Sequence, residues 1–183
     1  MEAAATVNVS GNAKIDGCES IKYGGGIYTL GTCTISENAE ISNCEGTYGG
    51  GIFIGKNNTT ISGNANIHDN VATLNGCALC SGGDGANLIV EGGRVHANYS
   101  KAVIATTNAG AKFTITGGWL WQEGSGTYFS STKNVNFIIE GGYYKPNLTT
   151  SLVKSPFAIK DNPQLSSEDI AAFEAGYTKK VMK

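Results

Sequence analysis

Five cysteines, a thin scatter of carboxylates and a run of late aromatic residues are the side chains here with chemistry to offer. The cysteines are Cys18, Cys33, Cys44, Cys77 and Cys80. Cys77 and Cys80, in "CALC", have metal-like C-x-x-C spacing, but no second pair or ligating histidine follows at zinc-site distance. The segment has strand composition, and residues three apart on a strand face opposite sides. Cys18 and Cys44 are 26 residues apart and stack if the chain repeats at that period. Free cysteine packs as a small hydrophobe, which is the expected role. A Cys18–Cys44 disulfide is the competing reading, because neighbouring strands ~4.8 Å apart lie within bridging range.

Acid–base or calcium chemistry on polysaccharides needs clustered carboxylates. Aspartate occurs only at Asp16, Asp69, Asp84, Asp161 and Asp169. Asp16 and Asp69 are expected at matching slots two coils apart, with Ser42 between them, and Glu91 and Glu140 likewise, with Thr116 between. Two rungs span ~10 Å, a separation that suits an inverting hydrolase in principle. The single arginine, Arg94, and sparse lysine offer a lyase no evident partner, so solvated surface carboxylates are the expected reading. "GGDGANLIV", from Gly82, approaches the calcium nonapeptide G-G-x-G-x-D-x-U-x with Asn87 in place of the aspartate. One copy cannot build stacked half-sites, and a plain glycine turn is expected.

The aromatic constellation is more specific. After three late Gly-Gly pairs come "RVH", "WLW" and "YYK". With Val95, Leu120 and Tyr144 pointing inward, two outer columns form: Arg94, Trp119 and Tyr143 in one, His96, Trp121 and Lys145 in the other. These six are the candidate ligand-binding residues. Trp119, Trp121 and Tyr143 are expected to be partly exposed, a strip able to stack on sugar rings with donors at its border. Cross-strand aromatic pairing, or burial under the C-terminal tail, is the alternative. Neither a catalytic residue, a metal site nor a cofactor is assigned.

Such columns exist only on a repeating backbone. "YGGGIYTLGTCTISENAEISNC" at Tyr23 returns at Tyr48 as "YGGGIFIGKNNTTISGNANIHDN". Steps of 25 from Gly26 meet "IYTL", "IFIG", "CALC", "AVIA", "TYFS" and "LVKS". A second anchor aligns Val7, Cys33, Thr59, Leu88, Phe113 and Phe137, and two residues on Val9, Ile35, Ile61, Val90, Ile115 and Ile139. Residues i and i+2 share a strand face, so both sets point inward. A 25-residue period is too short for a propeller blade, and the leucine-rich pattern is missing. It predicts an all-β, right-handed, single-stranded parallel β-helix with five to six coils over residues 5–155. Asn12, Asn38 and Asn64 are expected to stack their amides at a turn, and Gly93, Gly118 and Gly142 to do the same turn-making job later. Residues 156–183 are expected to form a capping tail, with a short helix in "SSEDIAAFEAG" started by Ser166 and Asp169 and stopped by Gly176.

Composition agrees. Glycine is 26 of 183 residues and charged residues are 15%, against averages of roughly 7% and 25%. A net charge of −2 gives no basic footprint for nucleic acid. No 18-residue apolar run is present to span a membrane, and no signal peptide is read at the start. An uncovered first coil invites edge association, so the chain is expected to be a segment of a longer protein or to pair through that end.

"GGGIY" and "GGGIF" with "TISxNAxI" resemble the repeats of bacterial surface β-helix proteins, including the polymorphic outer-membrane-protein type. "EGGRV", "TGGWL", "EGGYY" and the ending "IAAFEAGY" look like the final coils and cap of secreted repeat proteins of Gram-positive gut bacteria. The resemblance covers roughly residues 5–180. It implies an extracellular, cell-surface location and an adhesive or structural module without catalysis, with a glycan or a surface protein as partner. The rival expectation is a polysaccharide-active lyase or hydrolase of the β-helix class, which would show an exposed carboxylate cluster in a groove.

Overall fold

The computed structural model describes residues 5–97, 101–123, 127–131, 136–145, 158–161 and 179–182. They form a parallel β-solenoid, each coil contributing one short strand to each of three sheets. Sheet 1 stacks Thr6–Val9, Thr32–Ile35, Asn58–Ile61, Asn87–Val90, Lys112–Ile115 and Asn136–Ile139 in chain order, all parallel. Sheet 2 stacks Lys14–Asp16, Glu40–Ser42, Asn66–His68, Arg94–Ala97, Trp119–Gln122 and Tyr143–Lys145. Sheet 3 stacks Ile27–Thr29, Ile52–Ile54, Leu79–Ser81, Ile104–Thr106 and Phe129–Ser131. A two-strand ladder, Glu45–Tyr48 with Val71–Asn75, joins sheets 2 and 3 in the middle coils.

The inward column of sheet 1 is as the alternation dictates. Val9, Ile35, Ile61, Val90, Ile115 and Ile139 are mutual register partners, and all are buried. Beside them Cys33, Thr59, Leu88 and Phe113 are closed off, while Val7 is 36% exposed on the first rung, which is paired on one side only among the described residues. The Thr59 hydroxyl is buried without a hydrogen bond, the cost of one polar residue in an apolar stack.

A constant step of 25 fails at one coil. Ile52 pairs with Leu79, not Cys77, and Leu79 then pairs with Ile104. The irregularity at Val71–Asn75 accounts for the first extra residue in this coil. The glycine turn after Ser81 lengthens it further, so that Ile61 and Val90, 29 residues apart, end in register. The slip at Cys77 is two residues, and an even slip keeps every side chain on its own face. The expectation that Cys77 and Cys80 face opposite ways therefore holds: Cys77 lies in the main core, and Cys80 on the outer side with Phe53.

The corner between sheets 1 and 2 exists in two forms. In the first three coils it has four residues, Ser10–Ala13, Ser36–Ala39 and Ser62–Ala65; in the last three it has three, from Glu91, Thr116 and Glu140. The early asparagines do stack, Asn38 Nδ2 donating to Asn12 Oδ1 and Asn64 Nδ2 to Asn38 Oδ1, each at 3.3 Å. They do not do the glycines' job. The left-handed residue is the one before each asparagine: Gly11 (φ 67°), Glu37 (58°) and Gly63 (62°). In the shorter corners it is Gly93, Gly118 and Gly142.

At the far end, Lys179–Met182 pairs antiparallel with Tyr143–Lys145, and Ala158–Asp161 pairs antiparallel with Lys179–Met182. These strands continue sheet 2 and satisfy the open edge of its last rung. The expected helix over Ser166–Gly176 lies outside the described residues. Among the described residues no helix is long and apolar enough to cross a membrane.

Candidate functional site

All six candidate residues sit on the outer face of sheet 2. Arg94, Trp119 and Tyr143 are successive register partners, and Tyr143 pairs onward with Lys180. His96, Trp121 and Lys145 form the neighbouring column. Between them Val95, Leu120 and Tyr144 point into the core and are fully closed off. Tyr144 donates its hydroxyl to the Gly141 carbonyl at 2.9 Å, and burial pushes its pKa well up.

Within each column the rings are filled by their own neighbours. The Arg94 guanidinium lies 5.0 Å from the Trp119 ring centre, Tyr143 meets Trp119 edge-on at 5.7 Å, and Lys180 lies 4.9 Å from the Tyr143 ring. His96 stacks on Trp121 at 4.0 Å and 12°, and Lys145 Nζ covers that ring from the next coil at 4.3 Å. Each contact is a favourable ring–ring or cation–π pair. Trp119 and Trp121 are half-buried, while Tyr143 is only 5% exposed. The expected partly exposed strip of three rings is thus corrected to two: the antiparallel tail strand brings Lys180 over Tyr143. Arg94, His96 and Lys145 are spent on the rings as well as bordering them. Burial lowers the His96 pKa first of all, against the opposing pull of Asp69 and Glu123.

The same two columns run down into the early coils with different chemistry. Lys14, Glu40 and Asn66 continue the first, and Asp16, Ser42 and His68 the second. Ser42 Oγ lies 2.7 Å from Asp16 Oδ1 and 2.9 Å from Glu40 Oε1; Lys14 Nζ lies 2.9 Å from Glu40 Oε1. His68 bridges Glu40 at 3.2 Å and Asp69 at 2.7 Å. The Ser42 hydrogen bond, then that of Asn43, holds the Asp16 carboxyl below its usual range. Lys14 first, then Ser42, does so for Glu40, and Glu40 in turn raises Lys14. Ser42 Oγ contacts the two carboxylates, and His68, its partner on the next rung, contacts Glu40 and Asp69. The expectation that Asp16 and Asp69 share a slot is corrected: His68 takes that position, and Asp69 (φ 53°) belongs to the left-handed corner column of Gly17 and Asn43.

A groove of about 1100 Å³ follows the corner between sheets 1 and 2 along the axis. Its floor is the glycine pairs Gly92–Gly93, Gly117–Gly118 and Gly141–Gly142. Arg94, Trp119 and Tyr143 form one wall, Glu91, Thr116 and Glu140 the other, with Asn64, Asn66 and Glu40 at the early end and Lys180 at the late end. Trp121, His96 and Lys145 lie outside it. Glycine is required on the floor because a Cβ at Gly117 would lie 2.3 Å from the Glu91 carbonyl oxygen, and one at Gly141 2.0 Å from that of Thr116.

Sequence reasoning missed the Ser42 network and a second aromatic cluster, on sheet 3. There Tyr23 stacks on Phe53 at 4.3 Å and touches Tyr28 and Tyr48, at 5.8 and 5.9 Å. The repeated tyrosine of "YGGG" was its signal. Among the described residues no three His, Cys, Asp or Glu side chains converge as a metal site would require. The chain matches no family model, no curated protein and no solved structure.

Proposed function

We propose that this β-solenoid is a non-catalytic binding module that lays an extended glycan along the corner groove. The observation that carries the reading is the groove's lining across successive coils. Carboxylates, amides, a guanidinium and an ammonium alternate around one half-buried indole. Hydroxyl-rich ligands need acceptors and donors closely interspersed, and a partly apolar wall for the ring's C–H face. Trp119 is the ring within the groove, so it is the anchor, and Trp121 supports the sheet. A cell-surface, adhesive setting for the module rests on the resemblance of its repeats to surface β-helix proteins.

A hydrolase is the second reading, because Glu91 and Glu140 face the same groove two rungs, ~10 Å, apart. That lies at the long end of the inverting range. Both carboxylates are exposed, whereas the Trp119 ring beside them is half-buried. Binding is therefore the stronger reading. A glycan array of the wild type beside Trp119→Ala and Trp121→Ala tests it. Retention that Trp119→Ala abolishes and Trp121→Ala weakens less is expected. No retained glycan, or retention indifferent to Trp119→Ala, would sink the proposal. Release of reducing ends from a retained glycan, lost in Glu91→Gln, would favour the hydrolase instead.

A further inference from the structure

The corner that follows sheet 2 holds a second feature, independent of the groove. Its successive slots read Gly17, Asn43 and Asp69, all left-handed, and then Cys18, Cys44 and Asn70. The strand pair before this corner is Asp16 with Ser42, and the bridge after it joins Glu19 to Glu45. Two cysteines held between paired residues on both sides are themselves rung neighbours. The backbone bonds agree: Gly17 N donates to the Ser42 carbonyl at 3.1 Å and Glu45 N to the Cys18 carbonyl at 2.8 Å. Rungs ~4.8 Å apart place Cα atoms inside the range a disulfide spans.

The two thiols differ in access. Cys44 is fully buried, its N–H bonded to Asn70 Oδ1 at 2.9 Å and its Sγ 3.1 Å from the Ser42 carbonyl. Cys18 is the exposed member, its Sγ 3.7 Å from the Asp16 carbonyl. The other three cysteines are all buried, and Cys77 and Cys80 lie in separate clusters.

We propose that Cys18 and Cys44 are a cross-linking site, at which an external disulfide oxidises the pair to a bridge that clamps the first coil to the second. The oxidant is a low-molecular-weight disulfide such as glutathione disulfide. The exposed Cys18 thiolate attacks one of its sulfurs, forming a mixed disulfide and expelling one glutathione thiolate. Cys44, deprotonated, then attacks the Cys18 sulfur, and the second glutathione thiolate leaves. Two protein thiols lose two electrons and two protons, and one external disulfide becomes two thiols. Burial raises the Cys44 pKa, so its attack on the mixed disulfide quickens as pH rises and more thiolate forms. The clamp ties the first coil, whose Val7 is open to water, to the second.

The test uses the full chain, reduced and then exposed to glutathione disulfide under native conditions. Free thiols are blocked after acid quenching and the peptides mapped by mass spectrometry. One cross-linked pair, Cys18 with Cys44, is expected, with Cys33, Cys77 and Cys80 recovered as blocked thiols. In Cys44→Ser, Cys18 should stop at the mixed disulfide. The oxidised wild type should melt several degrees above the reduced form, and Cys18→Ser, which alters only an exposed residue, should show no such difference. A wild type whose Cys18 remains a mixed disulfide, a bridge to any other cysteine, or an unchanged melting midpoint would overturn the proposal.

Discussion

The outer face of sheet 2 carries one backbone and two chemistries. Over its first three rungs the columns are Lys14–Glu40–Asn66 and Asp16–Ser42–His68, bound by ion pairs and short hydrogen bonds. Over the last three they are Arg94–Trp119–Tyr143 and His96–Trp121–Lys145, bound by rings and cations. Register is identical in both halves, so the solenoid dictates only that like positions meet. What they do on meeting is decided residue by residue. The corners divide at the same place: four residues with an asparagine ladder early, three with two glycines late. The shorter corner keeps side chains out of the groove and so opens it.

The largest difference between the halves should appear at those corners. Gly117→Ala drives a Cβ into the Glu91 carbonyl and should cost about 3 kcal/mol in urea unfolding. Gly11→Ala meets only a flexible Glu37 carboxylate at 3.8 Å, and its left-handed backbone should cost about 1 kcal/mol. Equal losses would erase the distinction between the two corners. Next, Trp121→Ala removes contacts on both ring faces and should lose about 2 kcal/mol, measured the same way. A loss no greater than that of an exposed surface residue would mean the late columns are not held by their rings.

Acid should act on the two halves through different groups. Asp16 and Glu40 have folded pKa values below their ordinary 3.8 and 4.5. Their contribution is whole above those values and fades as pH falls through the lowered ones. Ser42→Ala should move both carboxyl titrations, followed by NMR, back toward the ordinary range. His96 titrates below its ordinary 6.5, so the neutral ring stacked on Trp121 is favoured above 6.5 and lost as pH falls through the lowered value. Tryptophan fluorescence should therefore quench with a midpoint under 6.5, and the transition should vanish in Trp121→Phe. The smallest effect is expected of Asn38→Ala, a few tenths of a kcal/mol, because its amide bonds are exposed and long.

Much of this architecture was legible because two periodicities coincide. Ile35, Ile61 and Ile115 could be placed inward from the alternation of their own strands and again from the repeat. Trp119 and Trp121 could be placed on one outer face by the same rule. Where only the long period spoke, it misled by small counts. Leu79, not Cys77, follows Ile52, because that step spans 27 residues and not 25, without any break in composition. His68, not Asp69, follows Ser42, since one residue decides between a strand end and a left-handed corner. Glu37 could not have been read as left-handed, because its conformation is imposed by the rungs on either side and not by its own preference. The burial of Tyr143 was hidden for a similar reason: it depends on Lys180, which arrives from an antiparallel strand outside the repeat. The groove was invisible altogether, as it is made by an absence of side chains at glycines.

The parallel stacking of rungs also fixes how the molecule would answer a mechanical load. Its inter-coil hydrogen bonds lie along the axis, so tension between the ends pulls each rung directly off the next. Coils then peel away in succession from a terminus, and never together. Each coil of 26 residues, such as Val9 to Ile35, would release roughly 90 Å of chain at ~3.4 Å per residue. The Ile61–Val90 coil, with 29 residues, would give a step roughly 10 Å longer. In a force trace, that one long interval would mark the boundary between the ion-paired and the aromatic halves.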